Sequence, residues 1–227
     1  MAAAATPRTW GAFSKGVLAT MDHRAALERF QFGSVIDIGA NKGQFAAFAM
    51  ASWPQAKLFC FEPLPGPREK LKAVTARRAT VFDCALGQEE STATMHVASR
   101  ADSSSLLPLG ERQKAMFQMS EASVLNVPVR RLDNVLNAGM LTGPTLMKID
   151  VQGFERDVLR GGIGLLPAID AIYVELSFVE LYDNQALAGE ITDLLGVEKF
   201  KLAGVYNQMC DGQGEAVQAD FLFLARR

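Results

Sequence analysis

Two acids follow apolar segments at positions where a nucleotide-binding sheet would hold a ligand. Asp37 lies in the run Val-Ile-Asp-Ile that leads into Gly39, and Glu62 follows the run Leu-Phe-Cys-Phe at 58–61. A glycine turn after a buried strand lets a ligand approach the backbone closely, because no Cβ stands in the way. An acid about 20 residues beyond such a turn is placed to bind the ribose hydroxyls of a nucleoside cofactor. The pair therefore predicts a cofactor site at the carboxyl ends of the first two strands.

The spacing around Gly39 distinguishes two kinds of cofactor. A dinucleotide fold uses G-x-G-x-x-G, whereas this chain has Asp37-x-Gly39-x-x-x-Gly43. An ionised Asp37 would repel a pyrophosphate and attract the ammonium and sulfonium groups of S-adenosylmethionine. Two alternatives to a cofactor site remain. One is that the first acid and glycine form a chance turn after a strand, and the other is that Glu62 is an exposed acid at a strand end. The rival functions are an NAD-dependent oxidoreductase and a non-catalytic relative that keeps the pocket.

Four segments in order resemble the signature segments of the FkbM family: Asp37–Phe45, Phe61–Pro63, Ala85–Gly87 and Lys148–Glu155. The resemblance covers most of the chain, from about residue 33 to 180. Members of this family are S-adenosylmethionine-dependent methyltransferases with the class I Rossmann-like α/β fold. The resemblance implies methylation of a hydroxyl on a sugar, glycolipid or secondary metabolite. One departure is Gln152, which stands where the family usually has Glu and is assigned no role.

Hydrophobic periodicity predicts a mostly parallel sheet with helices on both faces. The expected strands are 33–38, 56–61, 81–87, 145–150, 168–176, 200–206 and 219–224, and the main helices are 44–53, 66–76, 110–119 and 186–195. The tight Asp-Gly-Gln-Gly turn at 211–214 makes the last two strands antiparallel. Residues 1–32 are expected to form an N-terminal helical extension that either closes over the cofactor or covers an open sheet edge. Residues 33–227 are expected to form one methyltransferase-like domain with an insert around 88–131.

The insert is expected to recognise the acceptor, because loops at the carboxyl ends of strands carry function. Its serine loop, 103–105, resembles a serine-containing loop of the family. The alternating segments 91–98 and 123–131 are expected to pair, with Pro128 marking the second as an edge strand. His96 is expected on the exposed face of this hairpin, and His23 in a polar surface turn.

Asp150 and Glu175 are the candidates for proton removal from the acceptor, at the ends of the fourth and fifth strands. Partial desolvation is expected to raise the pKa of Asp150, which makes it the first choice as general base and Glu175 the second. Alternatively the two carboxylates hold Mg²⁺, which would acidify the acceptor hydroxyl. The sequence shows no third clear ligand, so the metal is not favoured. Glu155 is expected to complement the dipole of the following helix, and Lys148 to pair with an acid.

The cofactor-binding residues expected from these segments are Asp37, Gly39, Asn41, Gly43, Phe45, Glu62, Asp83, Cys84 and Asp150. Asp83 leaves the third strand, where it would either accept a hydrogen bond from the adenine amino group or cap a turn.

Length and charge agree with a single cofactor-dependent domain. The 227 residues are 49% hydrophobic and carry a formal net charge of -2, which gives no electrostatic reason to expect nucleic acid or an anionic membrane as partner. No apolar run reaches the roughly 18 residues of a membrane span, and the start Met-Ala-Ala-Ala-Ala lacks the features of a signal peptide. Three cysteines without metal-ligand spacing indicate buried thiols in a reducing cytoplasm rather than a zinc site. The expected partner is a small-molecule, glycan or lipid acceptor.

Overall fold

The structure is a computed structural model that describes residues 22–226. Within that range the strands are β1 (Ser34–Ile38), β2 (Lys57–Phe61), β3 (Ala79–Phe82), β4 (Ala85–Leu86), β5 (Ser91–Ala98), β6 (Glu121–Arg130), β7 (Thr145–Ile149), β8 (Ala171–Ser177), β9 (Phe200–Cys210) and β10 (Ala216–Ala225). The α-helices are α1 (Arg24–Leu27), α2 (Gln44–Ser52), α3 (Pro65–Thr75), α4 (Glu111–Phe117), α5 (Leu132–Val135), α6 (Glu155–Gly161) and α7 (Ala188–Val197). Short 3₁₀ turns lie at Ala101–Ser103, Ala138–Met140 and Leu166–Ala168.

A seven-stranded sheet in the order β3-β2-β1-β7-β8-β10-β9 forms the centre of the molecule. The first five of these strands are parallel, and β10 runs antiparallel to both β8 and β9. This confirms the expected α/β architecture with a reversed last strand. The strand order changes direction between β1 and β7, and such a point leaves a crevice at the carboxyl ends of the strands.

Alternating side chains of the central strands pack into cores on both faces of the sheet. Ile36 and Ile149 belong to the core that includes Val158 of α6 and Ile191 of α7. Val35 and Leu146 belong to the opposite core, with the aromatic residues of α2. Every residue of β1 and β7 is buried, as expected for central parallel strands covered on both sides.

The insert contributes β5 and β6 to a second sheet, which β4, just before the insert, completes in the order β4-β6-β5. β5 and β6 pair antiparallel, which confirms their expected association. The expectation that Pro128 marks an edge strand is wrong, because β6 lies in the middle of this sheet. The two-residue β4 pairs with β6 only at Val129 and Arg130. Pro128 therefore has no partner in β4, and its lack of a backbone N–H breaks no hydrogen bond on that side.

The third predicted strand is two strands in two sheets. Phe82 of β3 pairs with Phe61 in the main sheet, whereas Ala85 of β4 pairs with Val129 in the insert. The chain leaves one sheet for the other at Asp83 and Cys84.

The expected N-terminal extension lies largely outside the described residues. Of it the structure describes α1 and the segment leading to β1, while residues 1–21 fall outside. Across residues 22–226 no helix has both the length and the apolar composition to span a membrane.

Candidate active site

A cavity of about 340 Å³ lies at the carboxyl ends of the parallel strands. Gly39, Glu62 and Asp150 line it just beyond β1, β2 and β7, and Glu175 reaches it from β8. The insert and the last two strands complete the wall with Met95, Asp102, Ser104, Leu106, Asn207 and Asp220. The cavity therefore joins the expected cofactor segments to both candidate acids.

The turn at Gly39 brings the ends of β1 and β7 into direct contact. Gly39 has φ +77°, and its N–H donates to the carbonyl oxygen of Phe61 at 3.1 Å. A Cβ at this position would lie 1.9 Å from the backbone oxygen of Asp150. Glycine is therefore required by the backbone packing beneath the cavity as well as by the conformation of the turn.

Glu62 is held by two backbone donors. Asn41 N–H donates to one carboxylate oxygen at 2.8 Å and Leu64 N–H to the other at 2.8 Å. Burial raises the pKa of Glu62 to about 7, although these two bonds act in the opposite direction. Each oxygen keeps acceptor capacity, since a carboxylate oxygen can take more than one hydrogen bond. The group can thus accept hydrogen bonds from a pair of vicinal hydroxyls.

Three expected cofactor residues do not reach the cavity wall. Asp37 is fully buried within β1, where neither oxygen has a hydrogen-bond partner among the described residues, and burial raises its pKa to about 6. Gly43, at φ +91°, is the N-cap of α2 and packs against Leu71. Asp83 is exposed in the turn between the two sheets. By contrast Asn41, Phe45 and Cys84 do line the cavity.

Lys148 is a buried cation between two acids. Its Nζ lies 3.1 Å from Asp150 Oδ2 and 3.8 Å from Asp37 Oδ1, so the expected pairing with an acid is present. Burial alone would lower the pKa of Lys148, but Asp150 and Asp37 hold it above its ordinary value. The ammonium therefore stays charged and partly neutralises this end of the cavity.

The two candidate bases have opposite electrostatic environments. Although burial alone would raise the pKa of Asp150, Lys148 and the Gln152 amide hold it below its ordinary value, contrary to the expectation from the sequence. Burial, together with the charges of Asp150 and Asp220, raises the pKa of Glu175 well above its usual range. Asp150 is thus the stable anion of the pair, whereas Glu175 holds a proton more readily than a solvent-exposed carboxyl group does.

Gln152, which the sequence left without a role, lies between these acids. Its Nε2 donates to Asp150 Oδ1 at 2.8 Å and to Glu175 Oε2 at 3.0 Å. The described residues contain no group of three or more His, Cys, Asp and Glu side chains placed to hold a metal ion. The one signal for Gln152 in the sequence was its position in the segment that leaves β7.

Glu155 shapes the same segment. One carboxylate oxygen accepts the backbone N–H of Val151 at 3.3 Å and that of Gly153 at 3.0 Å. Burial raises the pKa of Glu155 to about 7. The residue does begin α6, but these contacts go beyond the expected interaction with the helix dipole, because they fix the loop that carries Asp150 and Gln152.

The expectation that His23 lies on the surface is wrong. Its ring packs edge-on against Phe45, Phe48 and Tyr173, and it lines the cavity. Burial lowers its pKa to about 4, so the imidazole is neutral at physiological pH. The residue precedes α1, and its short polar context gave no periodicity that could place it inside.

Asn207 and Asp220 form a polar group on the last two strands that the sequence analysis missed. Asp220 Oδ2 accepts from the Tyr173 hydroxyl and from Asn207 Nδ2, each at 2.7 Å. The sequence feature that could have identified Asp220 is its position as an acid inside the apolar run Ala-Asp-Phe-Leu-Phe-Leu. On the insert, His96 is partly buried, with 20% of its side chain exposed, and it pairs with Glu121.

Comparison with known families agrees with this geometry. Residues 37–203 match the family described as the methyltransferase FkbM domain, which covers most of the chain. The chain belongs to the FkbM methyltransferase family. It is therefore an S-adenosylmethionine-dependent methyltransferase, and the expected fold and cofactor class are those of its family.

Relatives of this FkbM-domain chain include enzymes with different acceptors. The 2-O-methyltransferase NoeI of Sinorhizobium fredii is 30% identical over 189 residues, covering 78% of this chain and 76% of that protein. The 31-O-demethyl-FK506 methyltransferase FkbM of Streptomyces tacrolimicus is 27% identical, covering 71% and 70%. The hexuronic acid methyltransferase AglP of Haloferax volcanii is 25% identical, covering 78% and 73%.

A solved structure with the same fold is precorrin-6y C5,15-methyltransferase of Geobacter metallireducens. Its TM-score is 0.50 at 10% identity, and the match covers 93% of this chain and 91% of that one. At this identity the likeness concerns the fold alone.

Proposed function

We propose that this protein transfers the methyl group of S-adenosylmethionine to a hydroxyl oxygen of a sugar, glycolipid or secondary metabolite. The observation that carries the proposal is the continuous cavity from Glu62 through Gly39 to Asp150 and Glu175. The printed names of two relatives, a 2-O-methyltransferase and a 31-O-demethyl-FK506 methyltransferase, support oxygen as the methylated atom.

The residues present fit S-adenosylmethionine. Glu62, held by two backbone N–H groups, is the ribose acceptor, and the apolar wall of Phe61, Leu64 and Cys84 suits an adenine ring. Asp150, whose carboxylate stays ionised, is the partner for the ammonium group. Asp37 acts from within the sheet as an anion near the cationic cofactor, without touching it. When bound, the cofactor supplies an electrophilic methyl group on its sulfonium.

Glu175 is our choice for the proton acceptor. An attacking hydroxyl loses its proton during methyl transfer, and a carboxylate with a raised pKa accepts that proton more readily than one with a lowered pKa. Glu175 has the raised pKa of the two candidates and faces the cavity. This reverses the order expected from sequence, in which Asp150 came first.

Mg²⁺ is the less favoured alternative for the acid pair. Both carboxylates are bridged by Gln152 Nε2, which donates hydrogen bonds where a cation would need oxygen ligands. Magnesium is nevertheless included in the test below, because a cation that enters with the acceptor would act on the same two acids.

The first experiment is calorimetric titration of the purified protein with S-adenosylmethionine, S-adenosylhomocysteine and NAD, each with magnesium and with a chelator. We expect both sulfur ligands to bind and NAD not to bind. Release of S-adenosylhomocysteine is then measured with a panel of neutral sugars, glycolipids and polyol metabolites, and with amine analogues of the same compounds. Binding of NAD alone would overturn the proposal in favour of an oxidoreductase. Methylation confined to amine acceptors would overturn the assignment of oxygen.

A further inference from the structure

One carboxamide joins the insert to the acid pair. Ser105 Oγ donates to the backbone oxygen of Gln152 at 2.7 Å, and the Tyr182 hydroxyl lies 2.7 Å from Gln152 Oε1. At the other end of the same side chain, Nε2 donates to Asp150 at 2.8 Å and to Glu175 at 3.0 Å. Gln152 thus contacts both the serine loop of the insert and the two acids.

Tyr182 fixes the direction of this amide. Its hydroxyl accepts from Gln113 Nε2 at 3.1 Å, and its own proton can go to Gln152 Oε1 or to the Ser103 carbonyl oxygen at 3.0 Å. With Oε1 bound to the hydroxyl, the two hydrogens on Nε2 face the acids, one for each carboxylate. Donors of this kind stabilise the ionised form of a carboxylate. Gln113 and Ser103 both belong to the insert, so the insert anchors the end of the amide that Tyr182 holds.

The backbone of Gln152 shows how strongly the position is held. It has φ +56°, in the left-handed region, and is followed by Gly153 at φ +102°. A residue with a Cβ is disfavoured in that region by about 1 kcal/mol, and it persists there where its surroundings determine it. The hydrogen bonds to Ser105, Tyr182 and the two acids are those surroundings. A shorter side chain such as Asn would adopt the backbone but would not span from Tyr182 to both carboxylates.

We propose that Gln152 is the positioning residue of the acid pair and that Tyr182 makes its position depend on the insert. This inference rests on the proposed methyl transfer, since it assigns the two acids to that reaction. Ser103 and Gln113 of the insert hold Tyr182, so a displacement of either residue would change, through the amide, how Asp150 and Glu175 are stabilised.

Other groups act on Glu175 as well, so the test compares variants rather than absolute values. Gln218 Nε2 donates to its second oxygen at 2.9 Å. The charges that face Glu175 from the neighbouring elements are Asp150 and Lys148 beside β7, Asp220 on β10 and Glu155 on α6. Of these groups only Asp150 accepts a hydrogen bond from the Gln152 side chain, and none of them is hydrogen-bonded to the Tyr182 hydroxyl.

The test is a carboxyl ¹³C NMR titration of the full chain, without ligand, in which Glu175→Gln and Asp150→Asn assign the two signals. Gln152→Met keeps the length of the side chain and removes its donors, so we expect both acids to titrate at higher pH. Tyr182→Phe should shift them in the same direction by a smaller amount. Gln208→Met, at an exposed glutamine bonded only to Cys210 Sγ among the described residues, is the matched control and should shift neither.

Unchanged titration of both acids in a folded Gln152→Met protein would overturn the positioning role. Unchanged titration in Tyr182→Phe would overturn the link to the insert. If Gln152→Met does not fold, Tyr182→Phe and Ser105→Ala decide the question by the same readout. Failure of the wild type to bind S-adenosylmethionine would instead refute the proposed function, and the NMR comparison would still report on Gln152.

Discussion

Asp150 and Glu175 share a single hydrogen-bond donor, the Nε2 of Gln152, at 2.8 and 3.0 Å. Their environments otherwise differ. Asp150 also accepts from the Lys148 ammonium at 3.1 Å, whereas Glu175 accepts from the neutral amide of Gln218. Two carboxylates whose pKa values are displaced in opposite directions are suited to different tasks.

Replacing either acid should separate cofactor binding from proton transfer. Asp150→Asn removes the stable anion and should weaken S-adenosylmethionine binding by about 1–3 kcal/mol, as for loss of a charge-assisted hydrogen bond. Glu175→Gln should leave that affinity within about threefold, or 0.7 kcal/mol, and suppress turnover of any acceptor found. Calorimetry at pH 8 measures the first effect and S-adenosylhomocysteine release the second. The opposite pattern would return the base role to Asp150.

Glu62 should make cofactor affinity depend on pH. Its pKa is raised to about 7 in the free protein. In the proposed complex both oxygens are available to the ribose hydroxyls above that pH, whereas below it one oxygen carries a proton. Affinity should therefore be full above pH 7 and fall by up to about tenfold per pH unit below it. Calorimetric titrations between about pH 5.5 and 8.5, a range that extends more than one unit to either side of the Glu62 pKa, test this dependence of affinity on pH.

The control for this effect is a matched pair of Glu→Gln variants. Glu62→Gln should bind more weakly at pH 8 and lose the steep part of the pH dependence. Glu69→Gln, whose side chain is 71% exposed on α3, should retain the wild-type profile. A profile that Glu62→Gln leaves intact would remove this residue from the ribose site.

Gly39→Ala should destabilise the fold as well as the site. The new Cβ would lie 1.9 Å from the Asp150 backbone oxygen, at a φ of +77°. We expect a loss of about 2 kcal/mol or more in the free energy of unfolding, together with loss of cofactor binding. Gly189→Ala in α7, where a Cβ meets no atom within 4 Å, is the control and should be neutral or stabilising by about 0.5–1 kcal/mol. Equal effects in urea denaturation would contradict the packing argument.

Glu155→Gln should change how stability depends on pH. Burial raises the pKa of Glu155 from 4.5 to about 7, so the folded protein binds this proton more tightly than the unfolded chain does. Its contribution to stability is present below about pH 4.5 and is lost as the pH rises to about 7. Relative to wild type, the variant should gain up to about 3 kcal/mol across that window, at about 1.4 kcal/mol per pKa unit.

Urea denaturation of both proteins between about pH 4.5 and 8 measures the difference. Glu111→Gln, at a side chain that is 92% exposed, should track the wild type throughout. A constant difference between Glu155→Gln and wild type would mean that Glu155 titrates normally in the folded state.

The sheet could be predicted because its central strands are short apolar runs bounded by glycine and acid turns. β1, β2 and β7 agree with their expected bounds to within a residue. The third strand could not be resolved, because the run from Val81 to Gly87 is apolar apart from Asp83, while its two halves enter different sheets. That separation depends on pairing with Val129 and Arg130 of β6, each 44 residues beyond its partner in β4.

Within the site, residues fixed by local turns were easier to predict than residues fixed by distant contacts. Gly39 and Glu62 follow their strands directly, and both line the cavity. His23 reaches it through packing against Tyr173 and Phe45, and no local pattern identifies it. Asp220 reaches it beside Tyr173, and its only local signal is its place inside an apolar run. The pKa of Asp150 is shifted downward by Lys148 and Gln152. The expectation of a raised pKa considered only the burial of the strand end and not these two partners.

The three cysteines occupy three different depths in the molecule. Cys60 is completely buried, and burial raises the pKa of its thiol well above the usual range. Cys84 lines the cavity, where burial raises its pKa to about 11, and Cys210 is exposed. Cys210→Ser would thus leave one slowly alkylated thiol on the cavity wall, and its protection from a thiol reagent would report directly on occupancy by any ligand, with no need to know the acceptor.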